Sequence, residues 1–179
     1  MTYNKILVIY YSRSGHSRRL AEEISRRLSC DLQGIYTSKD YPLGFWGFQK
    51  ALFDTAVNRD ISIEIGKRNF SEYDLVLVGC PIWFGRMAQP VRVFLKKYRG
   101  EIKNIGFFCT QDGRSGAEKV FHQMGALSGK SPAVTFRVSS AEVQNETFRK
   151  KVGQFVELFK PISQKVEPMH PPESHAPMI

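Results

Sequence analysis

Ile6-Leu7-Val8-Ile9-Tyr10-Tyr11 runs directly into Ser12-Arg13-Ser14-Gly15-His16-Ser17, and the reading of this stretch decides the fold. The first half is an apolar run of strand length. The second is a hydroxyl-rich turn, and Leu20, Ile24 and Leu28 then recur on one face of a helix. A helix start presents unpaired backbone N–H groups and the positive end of its dipole, so a turn of this kind is suited to an anion, above all a phosphate. Ser12, Ser14 and Ser17 offer three hydroxyls, and Gly15 lacks the Cβ that would hold a ligand off the backbone. An ordinary N-cap needs only one of those hydroxyls.

Three further apolar runs stand out: 75–80, 105–109 and 133–138. None alternates between apolar and polar residues, so each reads as a strand covered on both faces, the hallmark of a parallel sheet. A weaker strand is expected over Asp31 to Tyr36. Helical faces fall between the runs: Val91, Phe94, Leu95 and Tyr98; Val120, Phe121 and Met124; and Phe148, Val152, Phe155, Val156 and Phe159. Alternation of this kind predicts an α/β domain, a doubly wound five-stranded parallel sheet with right-handed crossovers and helices on both faces. The domain is expected over residues 1–160, with an insert at about 38–70 that carries Phe45, Trp46 and Phe48 and then the alternating Ile61, Ile63 and Ile65. Residues 161–179 hold five of the chain's nine prolines and read as a Pro-rich C-terminal tail.

At 179 residues and 42% hydrophobic content, the chain suits one domain with a full core. No apolar run is long enough for a transmembrane segment, and the N-terminus lacks a signal-peptide pattern. Cys30, Cys80 and Cys109 are an odd number without metal-ligand spacing, which points to reduced thiols and a cytoplasmic location. Cys80 and Cys109 are expected to be small buried hydrophobes. The formal charge of +9 favours acidic partners or anionic substrates. The basic residues are scattered over what should be solvated helix faces, and no nucleic-acid-reading motif accompanies them.

Ligands of open α/β sheets bind beyond the carboxyl ends of the strands. Three loops leave such ends with unusual residues. The first is the serine turn. The second is Pro81-Ile82-Trp83-Phe84-Gly85-Arg86-Met87-Ala88-Gln89-Pro90, and the third is Thr110-Gln111-Asp112-Gly113-Arg114-Ser115-Gly116. Two large aromatics between Pro and Gly are costly to expose on their own account and suit the walls of a flat ligand.

These residues resemble the flavodoxin-like FMN-binding proteins over roughly residues 5 to 160. Ser12 to Ser17 is similar to that family's phosphate loop, with serines where threonines are common. Pro81 to Pro90 is similar to its second flavin loop, Thr110 to Gly116 falls where the third belongs, and Tyr73-Asp74 is similar to the lead-in to the third strand. The resemblance implies strand order 2-1-3-4-5 with FMN at the point where that order reverses, a placement for which flavodoxin is itself a standard instance. It implies that Ser12, Ser14, Ser17 and the backbone from Arg13 through Gly15 to His16 hold the FMN phosphate. Pro81 and Ile82 lead into Trp83 or Phe84 beside the ring, Gly85 lets the backbone near N5 reorient, and Thr110, Gln111, Asp112, Gly113 and Gly116 surround the ring's polar edge. A carboxylate beside N1 would oppose the anionic reduced ring, so Asp112 is expected to face a donor or solvent.

No acid or nucleophile of the chain is expected to perform a hard step, because the cofactor carries it. The first expectation is a carrier of electrons between protein partners, among which the basic charge favours acidic ones. An NAD(P)H-dependent quinone or flavin reductase, acting on a small-molecule acceptor, is the alternative within flavoproteins. A non-catalytic flavin-binding sensor is the alternative outside redox catalysis. A nucleotide P-loop is excluded because Ser17-Arg18-Arg19 lacks its Gly-Lys-Ser/Thr ending. A response regulator is excluded by Tyr11-Ser12 and Gly79-Cys80 standing where its acidic residues would be, and a small tyrosine phosphatase by the absence of Cys from the first loop.

Overall fold

A computed structural model describes residues 3–37, 61–113 and 116–159. Its strands are β1 (Ile6–Tyr10), β2 (Asp31–Gly34), β3 (Tyr36–Thr37), β4 (Ile63–Glu64), β5 (Leu75–Trp83), β6 (Arg86–Met87), β7 (Ile105–Gln111) and β8 (Thr135–Ser139). The helices are α1 (His16–Leu28), α2 (Gln89–Tyr98), α3 (Ala117–Ser128), α4 (Ser140–Gln144) and α5 (Phe148–Val156). The five parallel strands lie in the order β2-β1-β5-β7-β8, and β6 pairs antiparallel with the end of β5. Counting the parallel strands alone, this is the expected order 2-1-3-4-5.

Alternate residues of the runs at 6–11, 75–80 and 105–109 enter opposite cores, which is why these runs do not alternate in polarity. The run at 133–138 departs from the sequence reading, since β8 is an edge strand whose Val134, Phe136 and Val138 face one core while Thr135 and Arg137 are exposed. Leu7, Ile9, Val76, Val78 and Phe107 face one cluster with Val91, Phe94 and Leu95 of α2 and Val120, Phe121 and Met124 of α3. Val8, Leu75, Leu77 and Phe108 face the other, with Leu20 and Ile24 of α1 and Val152, Phe155 and Val156 of α5. The predicted helical faces are thus the buried ones. Cys80 and Cys109 are fully buried in the strands, and burial pushes the Cys109 thiol up to about 12 and the Cys30 thiol to about 11. All three thiols are free and protonated at neutral pH.

Four further details differ from the sequence reading. The second strand is two pieces, because β3 leaves the main sheet to pair antiparallel with β4, so the Ile63 alternation is a short extra strand. Strand β8 begins at Thr135 rather than Ala133, just after Pro132. Helix α4 was not anticipated, although Ser139 and Glu142 form a reciprocal capping box at its start. Finally, several helix arginines do not merely face solvent. Arg26, Arg27 and Arg149 lie 2.9, 2.6 and 3.2 Å from the carboxylate of Glu23, which is only 5% exposed, and through Arg149 this carboxylate ties α1 to α5. The aromatic insert residues Phe45, Trp46 and Phe48 and the Pro-rich tail lie outside the described residues. Among the described residues, no helix is long and apolar enough to cross a membrane.

Hydrogen bonds from Arg26 and then Arg27 hold the Glu23 carboxyl below its ordinary value of 4.5. A group lowered on folding contributes stability that is present above its unfolded value and lost as the pH falls through the folded one. Glu23→Gln is expected to cost about 1–2 kcal/mol at neutral pH. The difference between variant and parent should shrink as the pH falls below 4.5, measured by urea unfolding from pH 7 to pH 3.

Candidate functional site

Strand β1 lies between β2 and β5, and Tyr10 is level with Gly34 on one side and Gly79 on the other. The chain leaves β1 toward one edge of the sheet and later returns to build the other. The carboxyl end of β1 is therefore the switch point, where diverging connections leave a crevice.

Beyond β1, the Ser12 hydroxyl accepts a hydrogen bond from the Gly15 N–H at 3.1 Å. Gly15 takes φ 89°, which favours glycine, and α1 begins at the next residue with no side chain capping it. No serine thus serves as an N-cap, and no acidic residue occupies the first turn. The positive end of the helix is left uncompensated, and a Cβ built on Gly15 would meet no atom within 4 Å. Ser14 is exposed, Arg13 and His16 are half-buried, and Ser17 is buried. The Ser17 hydroxyl lies 2.7 Å from that of Thr110, a bond that ties the first loop to the end of β7.

The second loop requires a correction. Pro81, Ile82 and Trp83 belong to β5, and the chain reverses over Phe84-Gly85 into β6, pairing Ile82 with Met87 and Trp83 with Arg86. Pro81 is tolerated because β1 ends opposite Gly79, while β7 continues to Thr110 opposite Pro81. Phe84 at φ 48° and Gly85 at φ 71° make the two-residue turn with both central residues left-handed that suits a tight hairpin. Phenylalanine is a costly choice there, and its side chain is 83% exposed. Cys80 fixes the base of the hairpin, its sulfur accepting from the Ala88 N–H at 3.3 Å. Trp83 packs edge-on against Tyr11 of the first loop, with ring centroids 6.1 Å apart.

The third loop also starts later than the sequence indicates, since Thr110 and Gln111 are buried residues of β7. The Gln111 Oε1 is shielded from solvent and accepts no hydrogen bond among the described residues. Asp112 and Gly113 are exposed, and Arg114 and Ser115 lie outside the described residues. Gly116, at φ 110°, starts α3 with no side-chain cap. A Cβ on Gly116 would come within 3.3 Å of the Gly85 Cα, so the second and third loops approach backbone to backbone.

The sequence reading singled out these loops but not their joints. Ser17–Thr110, Tyr11–Trp83 and Gly85–Gly116 bring all three to one end of the sheet. Around it stand an uncapped helix start, an exposed aromatic and the buried amide oxygen of Gln111, which meets no donor among the described residues. The set suits a ligand with an anionic end, a flat apolar body and a donor on its edge.

Residues 5–157 match the sequence profile of the flavodoxin family. No curated protein sequence matches the chain. Among solved structures, the chain is similar to a flavoprotein of Lactobacillus acidophilus NCFM in complex with FMN, at 23% identity and a TM-score of 0.66, covering 80% of this chain and 98% of that one. It is similar to a candidate flavoprotein of Bacteroides eggerthii at 22% identity and a TM-score of 0.69, covering 87% and 97%. Oxidised flavodoxin 2 of Bacillus cereus gives 18% identity and a TM-score of 0.56, covering 91% and 100%. At these identities the structures speak for the fold, and the profile match speaks for the family. The chain belongs to the flavodoxin family.

The left-handed Phe84 separates stability from ligand binding. Asn is favoured over Phe at the first position of such a turn, so Phe84→Asn is expected to stabilise the ligand-free protein by about 1 kcal/mol. The check is urea unfolding of parent and variant side by side.

Proposed function

We propose that this member of the flavodoxin family binds FMN at the switch point and carries electrons between protein partners. The observation that carries the reading is the start of α1, uncapped and open at Gly15, set at the same sheet end as the exposed Phe84 and the unpartnered Gln111 Oε1. The FMN complex of the Lactobacillus acidophilus flavoprotein supports the choice of ligand.

In this reading, the α1 N–H groups hold the phosphate, with the hydroxyls of Ser12 and Ser14 beside them. Ser17, whose hydroxyl is engaged with Thr110, positions the loop and adds its backbone N–H. Trp83, fixed by Tyr11, and Phe84 wall the ring, and the Gln111 Oε1 accepts from a donor on the ring's polar edge. Gly85 lets the neighbouring peptide present either its carbonyl or its N–H to the ring. FMN, when bound, supplies one- and two-electron transfer. The chain adds no thiol chemistry, since burial keeps Cys80 and Cys109 protonated. Exposure of Phe84 leaves an edge at which a partner can dock. A second reading, an NAD(P)H-dependent reductase, draws on one observation: a cavity lined by cations opens beside the Phe84–Gly85 turn.

Purified protein mixed with FMN should quench flavin fluorescence and perturb its visible bands; no binding would sink the assignment. Anaerobic titration then separates the roles. Well-separated one-electron potentials without oxidation of NADH or NADPH support the carrier. Rapid oxidation of either nicotinamide supports the reductase, and FMN binding with no turnover by any donor and acceptor pair points to a sensor.

Gly85→Ala places a side chain at φ 71°, where it is strained whatever space surrounds it. The substitution is expected to shift the one-electron potentials of the bound flavin while leaving phosphate-loop affinity within a few-fold. Unchanged potentials would remove the proposed role of this peptide.

A further inference from the structure

Behind the Phe84–Gly85 turn, between it and the first turns of α2 and α3, lies a cavity of about 340 Å³. Its polar lining is Arg86, Arg92, Lys119 and Gln123. Lys119 and Gln123 stand four residues apart on one face of α3, Arg92 projects from α2, and Arg86 comes from the hairpin. None of these residues belongs to the three loops' proposed contacts with FMN.

Two features of this cluster bear on what it can bind. Several basic residues elsewhere are matched by carboxylates: Arg18 by Glu22, Arg68 by Asp31, Lys151 by Glu142, and four arginines by Glu23 and Glu146. Among the described residues, Arg86, Arg92 and Lys119 form no ion pair. Moreover, Arg92 and Lys119 sit near the starts of their helices, where the dipole is already positive and a cation is unfavourable by roughly 0.3–1 kcal/mol. The first turn of α2 holds no acidic residue, and Glu118 of α3 lines a different cavity with His122. Like charges gathered against two helix starts, with no carboxylate between them, create a field that only an anion relieves. A concave site near the small end of the range for ligand pockets fits a compact, multiply charged group. Arginine's fork of donors matches the oxygens of such a group.

We infer that this cavity binds a phosphate-class oxyanion, either free or as the phosphate of a small molecule that exchanges electrons at the adjacent turn. The anion site stands on its own residues, whereas its meaning as a substrate site rests on the flavin reading, with which it shares Phe84 and Gly85.

The test is calorimetric titration of the FMN-loaded protein with inorganic pyrophosphate at low ionic strength. It compares the parent, Arg92→Gln/Lys119→Gln, and a charge-matched control, Arg99→Gln/Lys103→Gln. The expected result is saturable one-to-one binding that weakens at least tenfold in the first variant and stays within twofold in the control. Absent or unsaturable binding, or equal weakening in both variants, overturns the proposal, because diffuse charge then accounts for it. Adding NADPH to the pyrophosphate complex identifies the source. Displacement that depends on Arg92 and Lys119 assigns the oxyanion to a nucleotide donor, and binding without displacement assigns it to free phosphate. The visible spectrum reports FMN loading beforehand. A protein that takes no FMN defeats the flavin reading, while the difference between the two double variants still decides the cavity.

Discussion

Burial of both faces of the parallel sheet is the constraint from which the rest follows. Residues of β1 such as Leu7, Val8 and Ile9 are wholly inaccessible, and the same holds for Leu75 through Val78 in β5. Their backbone groups are consumed by strand pairing on either side. No polar ligand can enter a layer sealed above and below by helices. Polar chemistry is left to the strand ends, and among those the carboxyl end of β1 is distinguished because connections leave it in opposite directions. Strand order thus selects the place, and the local residues decide what can bind there.

At that place the three loops are joined rather than merely neighbouring. Ser17 to Thr110 is a buried hydroxyl pair, Tyr11 against Trp83 is an aromatic edge contact, and Gly85 against Gly116 is a backbone approach that a side chain on Gly116 would crowd. Such joints explain how an exposed phenylalanine can be kept at a positive φ. The hairpin beneath it is held by the Ile82–Met87 and Trp83–Arg86 pairings and by the bond from Ala88 to the Cys80 sulfur. Local strain persists where the surroundings over-determine it, and it commonly marks a functional turn.

The architecture was legible because apolar runs without alternation have few solutions. Runs at 6–11, 75–80 and 105–109 became central strands, and the helical faces at Leu20, Val91, Val120 and Val152 became the buried ones. What escaped the sequence depended on partners far along the chain. Pro81-Ile82-Trp83 reads locally as a loop, and only the continuation of β7 and the return of β6 make it strand. Glu23 and its arginines read as a solvated helix face until α5 brings Arg149 against them. The short α4 is the exception, since Ser139 and Glu142 carried its capping signal in plain view. In the site, hydroxyls, glycines and aromatics gave away the loops. The Gln111 oxygen and the Arg86, Arg92 and Lys119 cluster did not, because spacing along the chain says nothing of burial or convergence.

The excess of positive charge takes on a different meaning once it is located. A net charge of +9 is a statement about long-range attraction, and by itself it does not favour one face of the molecule. The carboxylates are not evenly placed, however. Glu22, Glu23, Glu142 and Glu146 gather on the side formed by α1, α4 and α5, where they neutralise much of the local arginine and lysine. On the side of α2 and α3, Arg86, Arg92 and Lys119 stand beside the hairpin turn without such partners. A basic chain that balances its charge on one layer and leaves it unbalanced next to the exposed Phe84 has a polarity that uniform basicity would lack. Screening at physiological salt erases charge effects over distances beyond about 8 Å between exposed groups. Charges that converge on one cavity add their fields within that distance, which scattered surface charges do not. The short-range part of the electrostatics, rather than the net charge, is therefore what distinguishes one ligand from another at this end of the sheet.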